Sequence, residues 1–106
     1  MTLEPAIQQV FDATNRADSD AFVDAFAADG TIDDWGRTFT GHEAIAGWNA
    51  NENIGVNAHI EPGEVTRDGD AIKVGVTVSG DGYNGGGAFT FTLAPGGKVA
   101  RMVITG

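Results

Sequence analysis

Residues 55–79 read GVNAHIEPGEVTRDGDAIKVGVTVS, and within them the hydrophobic period of the chain changes from 3.6 to 2. Val56, Ala58 and Ile60 alternate with Asn57, His59 and Glu61; Ile72, Val74, Val76 and Val78 then alternate with Lys73, Gly75, Thr77 and Ser79. Both runs read as half-buried antiparallel strands. Asp68-Gly69 between them predicts a two-residue hairpin turn. Downstream, GDGYNGGG turns the chain into AFTFTL, and APGGK turns it into VARMVIT, so the chain after residue 55 is strands. Gly80, Gly82, Gly85, Gly86 and Gly87 are not followed by Lys-Ser/Thr or by a helix, so they read as a hairpin loop rather than a phosphate cradle.

Upstream of residue 55 the period is helical. Leu3, Ile7, Val10, Phe11 and Thr14 lie on one stripe of a helix predicted over residues 3–16. Asp18 or Ser19 caps a second helix with Phe22, Val23, Phe26 and Ala27 inward, ending at Asp29-Gly30. In TFTGHEAIAGW, Thr40 and Glu43 have capping-box spacing, so a third helix starts there and presents Ala44, Ile45 and Trp48 inward, with NANENIG as its fraying end. Helices followed by strands indicate an α+β layered domain rather than a βαβ repeat. With 106 residues and no internal repeat or linker, residues 1–106 read as one domain.

Fifteen acidic against six basic residues give a formal charge of −9, which repels a phosphate backbone and argues against nucleic acid as a partner. There is no Cys, which excludes disulfides and thiolate chemistry. The N-terminus lacks the basic start and apolar run of a signal peptide, and the apolar runs are short, so no membrane association and a cytoplasmic location are expected. His42 and His59 have no ligand-motif spacing; no metal and no cofactor are expected.

The order of two helices, FAADGTIDDWG, FTGHEAIAGW and then strands ending GGKVARMVITG resembles the SnoaL-like branch of the nuclear transport factor 2-like superfamily over essentially the whole chain. The resemblance implies a cone: three N-terminal helices packed on a curved mixed, mainly antiparallel sheet, with a pocket at the open end for a small apolar molecule. That superfamily includes cyclases, isomerases, dehydratases, epoxide hydrolases and proteins that only bind, so fold alone does not assign a reaction. NRADSDAFVDAFAADGTIDD is similar to the corresponding part of ketosteroid isomerases, and this similarity places their general base at Asp34. Their enolate-stabilising acids are not matched, since Val10 stands where a first-helix Tyr would be and the late strand GGGAFTFTL carries no Asp.

Asp33 and Asp34 are adjacent in a short strand, so their side chains point to opposite faces and one of them can see the cavity. Asp34 is the candidate base, with Trp35 as the apolar neighbour that would desolvate it. The competing reading has Asp34 capping the DWGR turn or pairing with Arg37. Trp35, Trp48, His59 and Val10 are the candidate pocket residues, Trp48 doubling as core beside Ile45. The sheet's other face, read as rich in Val, Thr and Phe, predicts a homodimer. Two functions remain: proton transfer on a small apolar substrate, or a non-catalytic binding or dimeric interaction module.

Overall fold

The computed structural model describes residues 3–106, which form three helices on a six-stranded sheet. Helix α1 (Pro5–Asn15) opens on a proline, whose missing N–H costs nothing in a first turn, and buries Ile7, Val10, Phe11 and Thr14 as the stripe requires. Asp18 caps α2 (Ser19–Asp24) by accepting a hydrogen bond from the Ala21 amide at 3.0 Å.

Helix α2 stops five residues before Asp29-Gly30. Phe26 instead opens strand β1 (Phe26–Asp34), where it pairs with Val99. Its ring lies 5.4 Å from that of Phe22, so the apolar spacing read as continued helix is satisfied by a helix-to-strand junction with both rings buried. Strand pairing across the sheet overrides local helical pattern here.

Strand β2 (Arg37–Thr40) returns antiparallel to β1, and α3 (His42–Glu52) follows. The expected capping box is absent: Thr40 belongs to β2 and bonds Thr31 across the pair at 3.0 Å. Gly41 takes the cap position at φ +88°, a left-handed conformation for which glycine is suited. The chain leaves α3 through a 3-10 turn (Ile54–Val56) and Asn57, so the strand expected from Val56 starts at His59. That return is tight enough that a Cβ on Gly55 would lie 1.5 Å from the Ala50 carbonyl oxygen.

NANENIG is not frayed. Asn49 and Asn53 are buried; Asn53 Nδ2 donates to Thr14 Oγ1 and Asn49 Oδ1, both at 3.0 Å, and Asn49 donates to Ser19. Asn15 grips the Ile60 backbone with both ends of its amide, at 2.8 and 2.7 Å. These amides tie all three helices to the start of β3, and each is satisfied, as buried polar groups must be.

Strands β3 (His59–Asp68), β4 (Ala71–Ser79), β5 (Gly85–Leu93) and β6 (Val99–Thr105) complete a sheet of order β2-β1-β6-β5-β4-β3. Only β1 and β6 run parallel; the other neighbours are antiparallel. Asp68 pairs with Ala71, so the turn residues are Gly69-Asp70, one position later than the dipeptide suggested. Gly85, Gly86 and Gly87 belong to β5 rather than to the hairpin loop. The architecture is therefore the α+β cone expected, with β1 and β2 inserted ahead of the third helix, which keeps the helices from being all N-terminal.

Val74, Val76, Phe89, Phe91 and Met102 face the helices in the core, with Phe11 stacked on Phe89 and edge-on to Phe91. The opposite face carries Lys73, Thr77, Thr90, Thr92 and Arg101, because the period of 2 sends the Val and Phe side chains inward. The outer face is thus rich in Thr and not in Val and Phe. Among the described residues no helix is long and apolar enough to cross a membrane.

Candidate functional site

The inward-facing positions of β5, taken in pairs with β4, are Phe91, Phe89, Gly87 and Gly85. Two large rings fill one end of the cone and two residues without side chains stand at the other. At that end lies a cavity of about 400 Å³, within the usual range for small-molecule sites, with Gly86 and Gly87 in its lining. Its apolar walls include Ile60, Val76, Val78, Phe89 and Ile104.

Asp34 closes β1 at the edge of this cavity. Asp33 and Asp34 do point apart: Asp33 accepts from the Gly36 amide at 2.8 Å and from Arg101 at 2.9 Å, while Asp34 turns inward and is only 9% exposed. Asp34 Oδ2 accepts two hydrogen bonds, from Trp48 Nε1 at 3.0 Å and from Arg37 Nη2. Arg37 also grips Glu52 with two nitrogens, at 2.9 and 2.6 Å, and stacks over Phe39. Glu52 first, and Asp34 with it, raises the Arg37 pKa above its ordinary value, so the guanidinium stays charged.

Asp34 Oδ1 accepts no hydrogen bond from the described residues. No fully buried side-chain oxygen or nitrogen among them lacks a partner, so Oδ1 keeps some solvent access, and Asp34 is one of the residues that line the cavity. One carboxylate oxygen is clamped and the other is free. The pair with Arg37, expected as the alternative to a pocket role, coexists with the pocket position.

Trp35 and Gly36 are the central residues of the β1–β2 turn, since Asp34 pairs with Arg37. Both have positive φ, +54° and +90°, as a mirror-image two-residue hairpin demands. A tryptophan there is strained and presents its indole outward, 67% exposed, at the rim of the cavity. The indole in contact with the Asp34 carboxylate is that of Trp48, not that of Trp35. Trp48 is buried, stacked 6.0 Å from Phe22, and also reaches the cavity, so core and pocket roles combine in it.

His59 and Val10 are placed elsewhere. His59 is exposed on β3, where it meets Glu61 at 3.1 Å, because the polar face of that strand turns away from the cone. Val10 is fully buried among core residues and does not line the cavity. His42 reaches the Phe26 carbonyl from the first turn of α3, a structural contact. Sequence reasoning missed Glu52 and Tyr83. Glu52 follows Trp48 by four residues and so shares its helical face, a signal that was available; Tyr83 lies in a loop whose path no period predicts. Among the described residues no three His, Asp or Glu side chains cluster as metal ligands do.

A helix-backed, mixed-sheet cone with its cavity at one end is the nuclear transport factor 2-like architecture. The chain belongs to the SnoaL-like domain family, whose model matches residues 7–102. A Sinorhizobium meliloti protein provisionally named a polyketide cyclase is 32% identical, with 97% of this chain and 95% of that one covered at a TM-score of 0.87. The epoxide hydrolase/cyclase-like enzyme SalBIII, with a role in pyran ring formation in the polyether salinomycin, is 27% identical over 94% of this chain and 86% of its own at 0.80. A Mycobacterium tuberculosis protein solved with estradiol-17beta-hemisuccinate shares the fold at 17% identity, 93% and 88% coverage and 0.81. No curated protein matches by sequence.

Proposed function

We propose that this chain takes a small, largely apolar molecule into the cone and applies acid–base chemistry of the isomerase, cyclase or hydrolase kind, with Asp34 Oδ1 as proton acceptor. The observation that carries the reading is the half-clamped carboxylate of a residue that lines an apolar cavity: Oδ2 is held by Trp48 and Arg37, and Oδ1 has no donor among the described residues. A general base must be fixed within hydrogen-bond reach of its proton, and two donors on one oxygen fix the other. The cyclase names borne by two relatives above 25% identity favour the same class of chemistry.

Proton exchange tests it. The α-protons of 2-tetralone should exchange into D2O faster with protein than in buffer, followed by proton NMR. Asp34→Asn should lower the catalysed rate by about 10²- to 10⁴-fold. A wild-type rate equal to buffer would sink the catalytic reading and leave the second one, a non-catalytic binder. That alternative draws on the lining, where Glu52 is held by Arg37 and the Tyr83 hydroxyl by Gly86, so that no second acid stands free beside Asp34. For the same reason a 5-ene-3-ketosteroid should not be isomerised above background.

The reading includes a homodimer built on the outer sheet face. Thr77, Thr90 and Thr92, bordered by Lys73 and Arg101, offer a surface on which two copies would pair through hydroxyls and β-branched methyls. Light scattering on a sizing column should give twice 11.0 kDa; a monomer at every concentration would refute this assembly.

A further inference from the structure

We infer that the ligand of this cavity carries an ammonium group on its apolar body, seated at the rim on the Trp35 and Tyr83 rings and drawn there by the charge of the Asp34 carboxylate. This rests on the cavity being the ligand site, as proposed above, and specifies the class of molecule that enters it.

The charge balance of the walls is the first ground. Asp34, Arg37 and Glu52 are the charged side chains of the lining, two carboxylates against one guanidinium. Glu52 takes Arg37 through both of its oxygens, so its charge is matched. The surplus negative charge resides on Asp34, and Oδ1 is the acceptor it leaves unfilled. An anionic ligand finds no free cation in the lining, and a formal charge of −9 on the whole chain opposes its approach.

The second ground is independent. Among the described residues, the exposed large hydrophobic side chains are Trp35 and Tyr83, at 67% and 61%, and both border this cavity. The Tyr83 hydroxyl is spent on the Gly86 carbonyl at 2.7 Å, so what Tyr83 offers a ligand is its ring. Trp35 is held there in a left-handed conformation that costs the fold. Aromatic faces attract organic cations through the ring quadrupole, and a carboxylate with aromatics beside it suits an ammonium better than a hydroxyl or a carboxylate.

Three probes on one aromatic body test the inference: 2-naphthylmethylammonium, 2-naphthalenemethanol and 2-naphthoate, titrated calorimetrically at neutral pH into the wild-type protein. The ammonium should bind about tenfold more tightly than the alcohol, and the alcohol more tightly than naphthoate. Asp34→Asn, which keeps an oxygen for Trp48, should bring the ammonium down to the affinity of the alcohol. Alcohol binding without preference for the ammonium overturns this inference and spares the cavity reading. An ammonium preference that survives in Asp34→Asn also overturns it, by assigning the effect to the overall charge. If none of the three binds the wild type, cavity reading and inference fall together.

Discussion

The two ends of the cone follow opposite rules of construction. At one end Phe11, Phe22, Phe26 and Phe91 are fully buried and pair ring to ring, Phe11 with Phe91 and Phe22 with Phe26. At the other, Gly85 and Gly87 withhold side chains, two aromatic rings stand in solvent, a tryptophan occupies a left-handed turn, and a carboxylate is left half-satisfied. The same strands run through both: β1 starts at Phe26 and ends at Asp34, and β5 runs from Gly85 to Phe91 and Leu93. Stability is concentrated at one end of each strand, and the departures from good packing at the other, where a ligand would use them.

If the ends are energetically separate, mutations at each should move different observables. Phe91→Ala should cost the most stability, about 3–5 kcal/mol by urea unfolding, and leave 2-naphthalenemethanol affinity unchanged wherever the variant remains folded. A parallel loss of affinity would break the separation. Asn53→Ala, between the ends, should cost about 1–3 kcal/mol, because Thr14 and Asn49 lose a buried donor. Trp35→Gly should do the reverse of Phe91→Ala: it relieves the turn and raises stability by up to about 1 kcal/mol, while weakening the aromatic ammonium probe. A destabilised Trp35→Gly would show that the exposed indole is structural.

The smallest effect tests the α2 cap, remote from the cavity chemistry. The Ala21 amide, and secondarily Arg16, lowers the Asp18 pKa below its ordinary 3.8. A lowered folded pKa means that the charged form stabilises the fold above the unfolded value, and that this contribution is lost as pH falls through the folded one. Asp18→Ala should therefore melt below the parent at about pH 7, with the gap narrowing at about pH 3. A gap that does not change with pH would assign the cap to the neutral oxygen alone.

Much of this division was legible in the residues. The α1 stripe, the alternation in β4 and the opposed aspartates follow from period alone, and those periods leave little choice of face. Asp34 came from resemblance and from its position at a strand end. What could not be read depended on contacts distant in sequence. Phe26 satisfies a helical spacing as well as a strand start, and only pairing with Val99 decides between them. Asn49 and Asn53 look like a frayed terminus until Thr14, nearly forty residues earlier, supplies a partner. The glycines of β5 look like loop because what calls for them is close approach by distant neighbours, Tyr83 at Gly85 and the Thr105 carbonyl at Gly87.

The place of β6 in the sheet bears on how the molecule is assembled. It is the last strand in chain order, yet it lies in the middle, between β1 and β5. Until it arrives, β1–β2 and β3–β4–β5 have no strand to join them, and each presents an open edge. The nucleus must then enclose most of the chain in one long loop, from Phe26 to Val99, before the parallel pair can form. High contact order of this kind slows folding and prolongs the exposure of unpaired edges. Refolding should therefore be limited by docking of residues 99–105, and a chain cut after Lys98 should aggregate rather than settle into a smaller domain.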